Sequence, residues 1–147
     1  MARKWSRSVG GNMKGPITIG YLGTRHDSSP AGSALLQMLQ AHANSSLQAH
    51  AVLLSLVPAE AGDETSKALR RLAKLHVGMY EQDAHARASS INRAGIHVLV
   101  VHDVEHPGTR ALLALAPAPM QIALLHANQD PPGPFPGFPP TWPLPSP

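Results

Sequence analysis

The chain has 147 residues, 43% of them hydrophobic but only 4% aromatic and 14% charged. That length suffices for one domain, and the scarcity of aromatics means its core must be built from Leu, Val, Ile, Ala and Met. The formal charge is +3, and Arg3, Lys4, Arg7 and Lys14 fall in a stretch with no acid; so short a basic segment excludes a nucleic-acid-binding face.

Cysteine is absent. Disulfides and Cys-based zinc sites are therefore excluded, in keeping with a reducing compartment. The amino terminus lacks the apolar stretch of a secretory signal, and "MARKWSRSVGGNM" fits an organelle transit peptide only loosely. The longest apolar run, "ALLALAPAPMQIALL" at 111–125, is shorter than the about 20 residues needed to cross a bilayer. A soluble protein of the cytoplasm or nucleus is expected, with organelle targeting by the basic segment left open and with no membrane or nucleic-acid partner.

Composition divides the chain into three zones. Residues 1–15 are basic and predict a disordered tail. Residues 16–128 carry the periodic signal. Residues 129–147, "QDPPGPFPGFPPTWPLPSP", hold nine of the fifteen prolines and predict a disordered, extended tail.

Within the body the patterns alternate. "ITIGYL" (17–22) predicts a strand that ends at a glycine-containing turn. In "SSPAGSALLQMLQAHA", Ser28 or Ser29 caps a helix with Pro30 at its first position, and Leu35, Met38, Leu39 and His42 form its apolar stripe. "AHAVLLSLV" (49–57) predicts a buried strand. "DETSKALRRLAKL" (63–75) predicts a helix, acidic at its start and basic at its end as the helix dipole prefers.

"HVGMY" (76–80) predicts a short strand, and "EQDAHARASSINRAG" (81–95) a helix stopped by Gly95. "IHVLVV" (96–101) is the continuous apolar strand of a parallel sheet. "GTRALLALA" (108–116) predicts a helix ended by Pro117, and "MQIALLH" (120–126) a last strand entered through Pro119. The alternation predicts an α/β fold: a single Rossmann-like, doubly wound, mostly parallel sheet.

Three stretches carry candidate chemistry. "GYLGTRHDSSPAG" joins the first strand to the first helix, the place where open α/β sheets bind ligands. It matches neither GxGxxG nor a Walker loop, and His26 and Asp27 on that loop do not define a catalytic pair. "HVLVVHDVEHPG" gathers His97, His102, Asp103, Glu105 and His106, but strand alternation separates His102 from Asp103 and nothing completes a metal site. His42, His50, His76 and His85 read as surface positions. No G-x-S-x-G elbow occurs. PxxP spacings in the tail (Pro131–Pro134, Pro136–Pro139, Pro140–Pro143) could meet an SH3- or WW-type partner, although no Arg or Lys flanks them.

"ITIGYLGTRHDSSPAGSALLQML", "INRAGIHVLVVHDVEHPGTR" and "LALAPAPMQIALL" together resemble the first half of the catalytic region of O-linked N-acetylglucosamine transferases, SPINDLY-type enzymes included. The resemblance rests on Gly20, Tyr21, Pro30, Gly95, Ile96, His97, Leu99, Val100, Arg110, Pro117, Ala118, Pro119 and Gln121, and covers residues 16–128. It implies half of a two-domain glycosyltransferase that moves a sugar from UDP-N-acetylglucosamine to a protein Ser or Thr hydroxyl, without a metal or resident cofactor.

The resemblance also implies a catalytic role for His97, with the 23–29 loop beside it. The chain departs from the family pattern where Ser29 replaces a loop histidine, Ala94 an aspartate and Ala116 an arginine, and where His126-Ala127-Asn128-Gln129-Asp130 stand in place of G-Y-P-G-T. The family's second nucleotide-binding domain is not found, which implies a fragment inactive by itself. Two alternatives are a non-catalytic α/β module that meets its partner through the Pro-rich tail, and a Rossmann-like small-molecule binder of another family.

Overall fold

A computed structural model of the chain describes residues 16–46, 48–102 and 106–124. The expectations for residues 1–15 and 129–147 lie outside the described residues. Nine elements follow in strict alternation: β1 (Ile17–Gly23), α1 (Pro30–Ala43), β2 (Ala49–Ser55), α2 (Glu64–Leu72), β3 (Leu75–Gly78), α3 (Ala84–Arg93), β4 (Val98–Val101), α4 (Pro107–Leu113) and β5 (Met120–Ala123). The strands form one five-stranded sheet in the order β3-β2-β1-β4-β5, with every pairing parallel. This is the doubly wound, Rossmann-like α/β fold that the alternation predicts.

Strand alternation sorts the core into two layers. Tyr21, Leu53 and Val100 point to one face, where Leu35 and Leu39 of α1 and Leu69 of α2 cover them. Leu22, Leu54, Leu99 and Val101 point to the other, against Ala88 and Ile91 of α3 and Leu112 and Leu113 of α4. Central strands buried on both faces are why 49–57 reads as a buried strand and 96–101 as a continuous apolar one. Each buried leucine contributes about 1.5–3 kcal/mol relative to an exposed one. Gly20 leaves the second layer room to close, since a Cβ there would stand 2.9 Å from Leu54 Cδ1 and 3.0 Å from Ile96 Cγ2.

The helices begin where capping residues dictate. Ser29 Oγ accepts the Gly32 N–H at 3.3 Å, with Pro30 in the first turn. Asp63 and Asp83 accept the amides of Ser66 and Ala86, each at 2.8 Å. His106 Nδ1 accepts the Gly108 N–H at 3.1 Å.

Several ends differ from the sequence expectation. α2 stops at Leu72, short of 75, because Lys74 N–H bonds the Ala51 carbonyl (2.8 Å) and Leu75 pairs with Val52. α3 starts at Ala84 and ends before Gly95, whose φ of 75° needs no Cβ penalty. α4 ends at Leu113, four residues before Pro117; Ala116 turns back with φ of 47°, and Pro117 and Ala118 are buried. β5 starts at Met120 as expected. Among the described residues no helix is long and apolar enough to cross a membrane.

Candidate functional site

β1 feeds α1 on one face of the sheet, whereas its neighbour β4 feeds α4 on the other. The chain thus parts at the carboxyl ends of β1 and β4, and such a switch point is where open α/β sheets leave a crevice for ligands. The amino end of α1 lies beside it, with the positive end of its dipole.

Four polar side chains converge there. His26, in the β1–α1 loop, is only 5% exposed. Its Nδ1 lies 2.8 Å from Ser55 Oγ at the end of β2, and the same Oγ lies 3.1 Å from His76 Nε2 on β3. On the other side His26 stands edge-on to His102, which follows β4, with ring centroids 6.2 Å apart. His102 in turn lies 5.9 Å from the ring of Tyr21. The His26 Nε2 atom has no hydrogen-bond partner among the described residues. It faces Gly23, where a Cβ would come within 3.4 Å.

Burial makes a charge on His26 costly and pushes its pKa down to about 3, with repulsion from His102 and His76 adding to the effect. The Tyr21 carbonyl and Asp27 oppose it only in part. His76 is held below the ordinary histidine range by burial and by Arg70. Burial also raises the Tyr21 hydroxyl. At neutral pH His26 is therefore a neutral imidazole with one nitrogen fixed. The Ser55 hydroxyl can donate to either histidine and accept from the other, so both tautomers of His26 are accommodated.

The loop that carries His26 is anchored outside as well. Ser28 donates from its N–H and its hydroxyl to Asp63 Oδ2 at 3.2 and 2.9 Å. Asp63 also accepts the Ser66 amide, and these bonds, that of Ser66 first, hold its pKa below the usual carboxylate value.

His97 sits elsewhere. It precedes β4, its Nδ1 accepting the Thr18 N–H at 3.0 Å and its own N–H bonding the Thr18 carbonyl at 2.9 Å. That is the amino edge of the sheet, so the expectation that the 23–29 loop lies beside His97 is corrected: the parallel strands run between them. His76, expected at the surface, is half-buried and joined to Ser55. Among the described residues no three His, Cys, Asp or Glu side chains gather as metal ligands, and Asp103 and Glu105 lie outside them.

No protein-family model matches the chain, and no curated protein sequence matches it. Solved structures do: 35 chains match. One is a K341M mutant of the Thermobaculum terrenum O-GlcNAc transferase, with a TM-score of 0.64 and 24% identity, covering 74% of this chain and 20% of that one. The described fold is thus similar to part of a glycosyltransferase, and this chain spans about a fifth of that protein's length.

The positions behind the sequence resemblance are largely interior ones. Gly20, Tyr21, Leu99, Val100, Pro117, Ala118 and Gln121 are all buried. They account for a shared fold. The departures have structural tasks of their own: Ser29 caps α1, Ala94 caps α3 and Ala116 makes the turn after α4.

Proposed function

We propose that this chain is one Rossmann-like wall of a glycosyltransferase cleft, in which a UDP-sugar such as UDP-N-acetylglucosamine gives its sugar to a protein Ser or Thr hydroxyl. Turnover in this reading requires a second nucleotide-binding domain across the cleft. The observation that carries the proposal is the likeness to an O-GlcNAc transferase over 74% of the chain. The switch-point crevice and the amino end of α1 supply what a diphosphate needs, oriented N–H groups and a positive dipole end. His97 fixes the start of β4 against Thr18, and the cleft chemistry belongs to the carboxyl edge.

A second reading, a non-catalytic partner-binding module, is favoured by one feature. Ile17, Leu75 and Met120 begin β1, β3 and β5, and all are exposed at the amino edge, by 37%, 48% and 45%. Unpartnered apolar side chains along one edge suit a protein contact.

Titration with UDP and UDP-N-acetylglucosamine, by calorimetry and by amide chemical shifts, separates the two. The expected result is weak, millimolar binding with shifts at 23–29 and 106–109. Micromolar affinity would refute the need for a second domain. Absence of shifts at millimolar nucleotide, or shifts confined to the amino edge, would refute the glycosyltransferase wall.

A further inference from the structure

Of residues 24–28, which join β1 to α1, only His26 is buried. The rest of the loop is held by surface bonds: Thr24 O accepts the Val57 N–H at 2.9 Å, and Ser28 is tied to Asp63. His26 reaches inward across the carboxyl end of β1, between Ser55 of β2 and His102 beyond β4. Its ring thus sits at the carboxyl ends of the strands that flank the switch point.

We propose that His26 is an acid-released latch: neutral, it seats the β1–α1 loop over the crevice, and protonated, it leaves its seat and uncovers both the crevice and the amino end of α1.

The groups around the ring favour its neutral form. β1 contributes the Tyr21 carbonyl, β2 the Ser55 hydroxyl, β3 His76 and the end of β4 His102. Arg70 of α2 stands against His76. Asp27 is the one anion among these groups, and its Oδ1 already accepts the Ser29 N–H at 3.0 Å. At Nδ1 a neutral ring is served in either tautomer by Ser55, while Nε2 has no hydrogen-bond partner among the described residues. Among the described residues an imidazolium meets two further histidines, and the carboxylate of Asp27 offsets them only in part, whereas in the open loop water solvates it fully.

The size of the response follows from the seated and free titrations. The seated ring titrates at about 3 against a free value of 6.5, so the loop-opening constant should be about 30-fold larger at pH 5 than at pH 7.5.

Hydrogen exchange of the whole chain, corrected for the intrinsic pH dependence of amide exchange, reads this directly. The loop amides should open more readily than those of Leu22, Leu53 and Val101 at both pH values, and their opening constant should show the about 30-fold rise. In His26→Gln, which keeps a hydrogen-bonding side chain but takes no proton, the loop should be insensitive to pH over this range. Equal protection at both pH values, the same rise in H26Q, or a loop that never opens ahead of the core would each overturn the latch. A readout on the wild-type chain covers the case in which H26Q fails to fold: the Cε1–H resonance of the seated His26 should titrate well below 6.5, while loop exchange already rises below that value. A ring that titrates near 6.5 while the loop stays protected also overturns it.

Discussion

Alanine at position 32 should destabilise this protein, although the site lies in the first turn of a helix, where alanine normally stabilises. Gly32 is buried in α1, and its N–H donates to the capping Ser29 hydroxyl. A Cβ built there would stand 1.8 Å from the carbonyl oxygen of Asp27 and 2.9 Å from its carbon. Both are backbone atoms, so no rotamer change relieves the clash. Ordinary contact begins at 3.4 Å, so the β1–α1 loop and α1 must separate by about 1.6 Å. Overpacking of this kind costs about 1–3 kcal/mol. The Ser29 cap, worth about 1 kcal/mol, lies in the displaced segment and is weakened with it. Against this, removing glycine from a helix returns about 0.5–1 kcal/mol. The net expectation for Gly32→Ala is a loss of about 1–3 kcal/mol. Urea denaturation followed by circular dichroism measures it, with Ser33→Ala, exposed on the next residue of the same helix, as a control expected to stay within about 0.5 kcal/mol. A Gly32→Ala midpoint equal to or above wild type, at unchanged m-value, would refute the packing argument.

Two further outcomes follow from the histidine cluster. Ser55→Ala removes the hydroxyl that both His26 and His76 contact; leaving a buried polar atom unmatched should cost about 1–3 kcal/mol in the same urea assay, and wild-type stability in this variant would show that the network contributes nothing. Stability should also fall with acidity. His26 titrates at about 3 when folded and at 6.5 when unfolded, so between those values the unfolded chain binds more protons and stability is lost as pH drops below 6.5. The loss at pH 5 relative to pH 7.5 is about 2 kcal/mol. The lowered pKa of His76 acts in the same direction, whereas that of Asp63 is already below 3.8 and weakens the fold only at lower pH. Equal urea midpoints at pH 7.5 and 5 would show that His26 is not buried neutral.

How much of this was legible in the sequence differs by element. The alternating strands and helices were, because their signals are local: apolar runs of strand length, Ser29 before Pro30, an aspartate ahead of α2, and Gly95 at the end of α3. Helix ends were less so. α2 and the first residue of β3 compete for Leu75, and the pairing of Leu75 with Val52 settles that competition only once β2 is in place. The resemblance was legible for a related reason. Tyr21, Leu99, Pro117 and Gln121 are buried, and the demands of a core show in sequence even where chemistry does not.

The candidate site was not legible. His26 sits in a loop with no periodicity, and His76 is one histidine among nine. Ser55 is 29 residues from His26 and 21 from His76, and nothing in its local sequence points to either. Periodicity assigns a side chain to a face of its own strand, but it says nothing about which strands will be neighbours. The order β3-β2-β1-β4-β5 decides that. It sets β3 beside β2, so that His76 meets Ser55, and β4 beside β1, so that His102 faces His26. The sequence by itself determined an α/β alternation, the start of α1 at Ser29 and Pro30 and the stop of α3 at Gly95, all of them properties of near neighbours in the chain. The histidine cluster, its neutrality and the placing of His97 at the far edge were decided only by the tertiary structure, because each depends on contacts between segments that the chain keeps apart.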